Sequence, residues 1–191
     1  MKLQRCGTLF VFTIATLAWS GAAAGADDRP TVKTEEVLTT LHHSNQMEIA
    51  AGKLAQEKGQ SQDVKRFGKT LVTDHTAADR KVMALAKQEK ITLPAAEPMP
   101  ADQPGKADKM KSASGAEFDK MFAADMLEDH KKAIAEVQSA RDGTADEKLK
   151  TLLTATLPVL EKHRDTAQKL TDKLGASASA AGTNAAPALP R

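Results

Sequence analysis

His75, His130, His163 and Glu48 each fall on the apolar stripe of a different amphipathic segment, near its middle. Positions three and four apart return to one face of an α-helix, so the stripes can be counted. One runs Val64, Gly68, Leu71, His75, Ala78, Val82, Leu85, and another Leu149, Leu153, Thr156, Leu160, His163, Ala167, Leu170, Leu174. Phe122, Met126, His130, Ala133 and Val137 form a third, and Leu38, Leu41, Asn45, Glu48, Gly52 and Ala55 the fourth. A carboxylate on such a face costs free energy unless it is paired, protonated or bound to a cation. Three neutral imidazoles and one carboxylate are a ligand set for a single transition-metal ion, and zinc, copper, iron and manganese all accept it.

Further carboxylates lie close to the imidazoles in sequence. Asp74 and Asp129 each precede a histidine; neighbours on a helix diverge by about 100 degrees, so neither faces its own histidine, and each reads first as a solvated flank charge, the alternative being a carboxylate that orients an imidazole of another helix. Asp79 lies one turn after His75, within direct reach of it. Of the neighbours His42 and His43 at most one can face inward, and exposure is the default expectation. Met47, Met83, Met121 and Met126 at helical spacing read as gap-filling core rather than copper ligands.

The elements that must position these groups are four helices, an all-α fold. The first runs from about Thr34 to Lys58 and stops at Gly59; the second starts at the cap Ser61 and runs to about Lys90. Residues 92–113 hold Pro94, Pro98, Pro100, Pro104 and Gly105, which makes a long crossover. Capping boxes, Ser114 with Glu117 and Thr144 with Glu147, open the last two helices, which close near Arg141 and Gly175. Pro158 lies inside the fourth and frees the Thr154 carbonyl, bending the helix onto the core or opening the site. Residues 34–175 are thus a bundle domain, and residues 176–191, rich in Ala, Ser, Gly and Pro, read as a disordered tail.

Two tight antiparallel hairpins joined by one long crossover is the connectivity of ferritin-like four-helix bundles. It makes the second and third helices parallel. The stretches from Phe67 to Asp74-His75 and from Phe122 to Asp129-His130 share a Phe and a terminal Asp-His at identical spacing, so a common register brings both histidines to one height.

Lys2 and Arg5, an apolar run from Leu9 to Ala18 and the small residues Ala22 to Ala26 have the layout of a cleavable secretory signal over residues 1–26. The run is too short to span a bilayer, and Cys6 precedes it, whereas a lipid-modified cysteine would follow. Cleavage after Ala24 or Ala26 leaves a mature chain without a transmembrane segment, addressed to the periplasm, with 25 basic against 25 acidic residues. That neutrality, with only Phe67, Phe118 and Phe122 as aromatics, argues against nucleic acid as a partner. The mature chain has no cysteine, so no disulfide supports the fold.

Glu48-Ile49, Asp74-His75, Phe118-Asp119, His130 and Leu157-Pro158 followed by His163 resemble the bacterial secreted family catalogued as domain of unknown function 4142, over roughly Glu35 to Leu174. The resemblance implies a ferritin-like fold and export, and carries no established biochemical role. Di-iron ferritin chemistry does not transfer: the residues three before the histidines are Val72, Leu127 and Leu160, so the Glu-x-x-His ligand pair is absent. No phosphate loop and no serine or cysteine nucleophile signature accompanies the cluster. The leading expectation is therefore a metal-binding exported bundle. Its rival is a non-metal envelope protein with a hydrogen-bonded polar core and an envelope protein as partner, and a small redox enzyme at the same site ranks third. The oligomeric state is not encoded in these patterns.

Overall fold

The computed structural model of the chain describes residues 32–95, 109, 110 and 112–183, with side chains as far as residue 176. The expected signal sequence, most of the crossover and the last eight residues of the expected tail lie outside this range. Four helices carry the fold: α1 (Thr34–Lys58), α2 (Gln62–Gln88), α3 (Gly115–Gly143) and α4 (Glu147–Thr183). Among the described residues there is no strand, and no helix is long and apolar enough to cross a membrane.

The hairpins α1/α2 and α3/α4 form as the spacing predicts. Contacts at the helix ends set their relative directions. Thr34 at the start of α1 donates to Asp146 at the start of α4 (3.0 Å), whereas Lys148 beside it bonds Glu89 at the end of α2 (2.7 Å). Lys173, late in α4, reaches Asp63, early in α2 (2.6 Å). Hence α2 and α3 are parallel to each other, and both are antiparallel to α1 and α4.

The α1/α2 register is set where two glycines meet. A Cβ on Gly52 would stand 2.5 Å from the Gly68 carbonyl, and one on Gly68 2.6 Å from that of Gly52. Only hydrogen side chains permit this approach. The same antiparallel register places Asn45 opposite His75, and His42 opposite Asp79.

Local signals hold in part. Ser61 caps α2 by accepting from the Asp63 amide. Ser114 sits at the N-cap of α3 but makes no side-chain capping bond; Gly115 turns there with φ +61, a conformation that favours glycine. At the start of α4 the capping role passes from Thr144 to Asp146, whose Oδ1 accepts from the amides of Lys148 and Leu149. The fourth helix does not end at Gly175 but continues to Thr183, because the alanine-rich sequence after it suits a helix as well as a coil. Pro158 is accommodated within α4 without ending it.

Asp119 joins the two hairpins. Its buried carboxylate accepts from the amides of Gln60 (2.9 Å) and Ser61 (2.7 Å) in the α1–α2 turn. Asp119→Ala should cost about 2–3 kcal/mol in chemical denaturation, since it leaves two turn amides without their charged acceptor; a midpoint equal to the parent's would contradict this role.

The core is divided. Phe67, Leu71, Phe118, Phe122, Met126 and Ala167 belong to one apolar cluster, and Leu38, Val82, Ile134, Leu149, Leu153 and Leu160 to another. His75, His130 and His163 lie between them in sequence on every helix concerned, forming a polar layer inside an apolar bundle.

Candidate metal centre

The three imidazoles are among the most buried polar groups of the chain, with relative exposures of 5% for His75, 1% for His130 and 0% for His163. Their ring centroids stand 5.2 to 5.9 Å apart. Each ring is fixed by one nitrogen. His75 Nδ1 donates to Asn45 Oδ1 (2.9 Å), His130 Nδ1 to the Met126 carbonyl (2.8 Å), and His163 Nε2 to Asp74 Oδ2 (2.9 Å). Because every partner is an acceptor, the proton of each neutral ring sits on the bonded nitrogen and the lone pair on the other.

Those other nitrogens, His75 Nε2, His130 Nε2 and His163 Nδ1, are buried and have no hydrogen-bond partner. The three residues offer ligand atoms that all lie within 4.8 Å of one another. Three nitrogens at about 2.0–2.1 Å from a shared ion stand roughly 3.5 Å apart, so the rings would close by about an ångström to share one. The residues present thus fit a metal ion: three buried imidazoles grouped within reach of one ion, each with one nitrogen lacking a hydrogen-bond partner, and acceptors behind each ring of the kind that ligating histidines use. Phe67 packs edge-on against His163 (centroids 6.0 Å) and keeps that side apolar.

Electrostatics favour the same form. Burial drives the His75 pKa down to about 3, with the neighbouring His163 and His130 adding to the effect. Burial, then His163, lowers that of His130 to about 4, against the Met126 carbonyl and Asp129, which raise it. His163 is also lowered by burial, with Asp74 opposing. The folded site holds neutral imidazoles, as metal ligation requires.

The other residues singled out from sequence are distributed differently. The group of ligand atoms within 4.8 Å of one another comprises the three histidines, and Glu48 Oε1 lies 3.9 Å from His130 Nδ1. Asp74 orients an imidazole of another helix, His163. Asp129 acts on His130 through its charge, while the hydrogen bond to that ring comes from the Met126 carbonyl. Asp79 is not bonded to His75. Its buried carboxylate accepts from His42 Nδ1 (2.7 Å) and from Gln46 (2.7 Å), because the α1/α2 register sets it against α1 one turn beyond His75. His42 is accordingly buried rather than exposed, and His43 half-buried. Met126 is core, as its spacing implies, whereas Met83 is exposed. Asn45, an amide on a face of small apolar residues opposite a histidine, holds the His75 ring, and its residue type in the stripe is the one sequence signal for that role.

Two concavities flank the layer. A cleft of about 700 Å³ is lined by His75, His130, Glu48 and Asp74, and a smaller one of about 330 Å³ by His163 and Phe67.

Fold and site together define a four-helix bundle with a three-histidine centre in its core. The chain belongs to the family described as Domain of unknown function (DUF4142), whose profile matches residues 20–170. No functionally curated protein matches the sequence. Among solved structures the fold is similar to that of CopM in the Cu(II)-bound form, with a TM-score of 0.65 at 14% identity over 75% of this chain and 99% of that one. CopM in the Ag-bound form gives 0.59 at 14% identity, over 73% and 96% of the two chains.

Proposed function

We propose that this protein binds one transition-metal ion between His75, His130 and His163, with copper the first candidate, after export to the periplasm. The observation that carries the reading is the grouping of three buried imidazoles with ligand atoms within 4.8 Å of one another, each ring having one nitrogen without a partner and the opposite nitrogen held. Leaving a buried polar atom unpaired costs about 1–3 kcal/mol, and a protein rarely repeats that cost at one point without a ligand there. A closed hydrogen-bonded core, the rival reading, would have paired these atoms with one another or with side chains.

Copper ranks first because imidazole nitrogens suit it and because the similar fold of CopM has been solved with Cu(II) and with silver. Zinc and iron accept the same set, and manganese, which prefers oxygen ligands, ranks lower at a site of three imidazoles. Glu48, beside His130 at the floor of the cleft, is the group best placed to supply a fourth ligand or to face a water in that position. Export is supported by Lys2 and Arg5, the short apolar run and the small residues after it.

The chain from Val32 onward has no Trp, Tyr or Cys, so its near-ultraviolet spectrum is almost blank. Protein purified without a histidine tag should develop a saturable band with Cu(II) at one ion per chain, and lose it in His75→Ala. If Cu(II) and Ag(I) give no saturable binding and calorimetry with Zn(II) is flat, the metal reading fails.

A further inference from the structure

The two concavities beside the histidine layer differ in charge and in construction. The cleft carries the carboxylates Glu36, Glu48, Asp74 and Glu136 against the cations Lys81 and Lys162. The smaller concavity carries Asp63 alone against Arg66, Lys162, Lys169 and Lys173. A cation near the first is attracted and near the second repelled.

The cleft also has a graded wall. Glu36, Thr40, Ser44 and Glu48 follow one another on α1 at four-residue steps, and all four line it. Such spacing keeps oxygen-bearing side chains on neighbouring turns of one face, about 6 Å apart along the axis. The Glu36 side chain is 68% exposed at the solvent end, and that of Glu48 15% exposed beside His130. Across the cleft, Ala133, Val137 and Ala140 of α3 form a small apolar wall, with Glu136 at its rim. Acidic side chains alone would not define a path. Here the path ends on His75 and His130, which line the same cleft and each keep a buried, unpartnered Nε2.

We propose that a metal cation reaches the three imidazoles through this cleft, passed along the α1 oxygens Glu36, Thr40, Ser44 and Glu48, and not through the cationic concavity at His163. The proposal rests on the metal-binding reading above and adds the route. It follows that loading is steered by charge at the cleft and depends on ionic strength. The neighbours Lys33 of Glu36 (3.1 Å) and Lys132 of Glu136 (3.7 Å) moderate the field at the rim and leave the carboxylates in place.

The test is a stopped-flow measurement of Cu(II) loading at low and at high salt, followed by the growth of the copper absorption. Ser44→Lys puts a cation at an exposed helical position midway along the path, where it should not disturb folding. It should slow loading about tenfold at low salt, with the difference shrinking at high salt, while one ion per chain still binds at equilibrium. Glu36→Gln should slow loading less and flatten its salt dependence. Lys169→Glu, on the other concavity, should leave the rate unchanged. If Ser44→Lys and Glu36→Gln load at the parental rate, or if Lys169→Glu accelerates loading severalfold, the route is overturned. A flat equilibrium titration of the parent protein would instead overturn the metal reading itself, so the two failures are distinct.

Discussion

Leucine in place of His163 is expected to abolish metal-dependent stabilisation while leaving the metal-free bundle within about 1 kcal/mol of the parent. The two halves of this result have different causes. In the absence of metal, His163 contributes a buried ring with one nitrogen unpartnered and the other on Asp74. Leucine removes the unpartnered atom and presents an apolar surface to Phe67, while Asp74, whose side chain is 32% exposed, turns to water. With metal, the proposed site loses one of its three imidazoles. Removing an acceptor that orients a ligand typically weakens binding 10- to 100-fold, the effect expected for Asp74→Ala. Deleting the ligand itself should exceed that. At a metal concentration near a hundred times the parental Kd, the parent gains about 2.7 kcal/mol, or several degrees in Tm, and His163→Leu gains none. Thermal melts with and without Cu(II) or Ag(I), followed by circular dichroism, decide the matter: equal upward shifts in parent and variant would exclude His163 from the site.

The contrast between the two halves also shows why the layer was visible in the sequence. An imidazole that replaces leucine in a heptad-like stripe stands out because the surrounding positions state what the core wants. The shared Phe-to-Asp-His spacing then fixed relative height, since parallel α2 and α3 carry one register. What could not be read were contacts between helices whose azimuth the stripe leaves open. Asp79 was within reach of His75 along its own helix, yet it points across the hairpin to His42, a pairing that follows from the Gly52–Gly68 approach. The partner of Asp74 required α2 and α4 to be neighbours, which no local pattern encodes. Glu48 lay in the stripe at the right depth, and its Oε1 stands 3.9 Å from His130 Nδ1, outside the group of ligand atoms that the three histidines form. The helix ends show the same limit: Gly175 reads as a stop by residue type, and the alanines beyond it carry α4 on.

Between pH 7 and about pH 5, the metal affinity of the folded protein should fall far less than three ordinary histidines would allow, whereas its metal-free stability should fall steeply below pH 6.5. Both follow from the same depressed imidazoles. In the unfolded chain His75 and His130 take up protons near pH 6.5; in the folded chain they do so only near 3 and 4, with burial the main cause. In the interval the unfolded state binds more protons, so stability rises with pH. The contribution is complete above about 6.5 and is lost as the pH falls towards the folded-state values. At pH 4.5 the two groups together remove on the order of 5 kcal/mol, comparable with the whole stability of many domains. The metal-free bundle should therefore unfold in mild acid. For binding, the sign is reversed in its consequence. Proton competition weakens a site of three ordinary histidines by up to about a thousandfold per pH unit below 6.5, but here His75 and His130 are already neutral in the fold and burial lowers His163 as well, so fewer protons are displaced. Bound metal in turn holds the rings neutral, and the acid-unfolding midpoint should move to lower pH when Ag(I) or Cu(II) is present. Acid titrations by circular dichroism, paired with Kd values at pH 7, 6 and 5, measure both quantities. An affinity that drops by orders of magnitude between pH 6.5 and 5.5, with the helices intact, would mean that the ligands are solvated histidines outside the core layer.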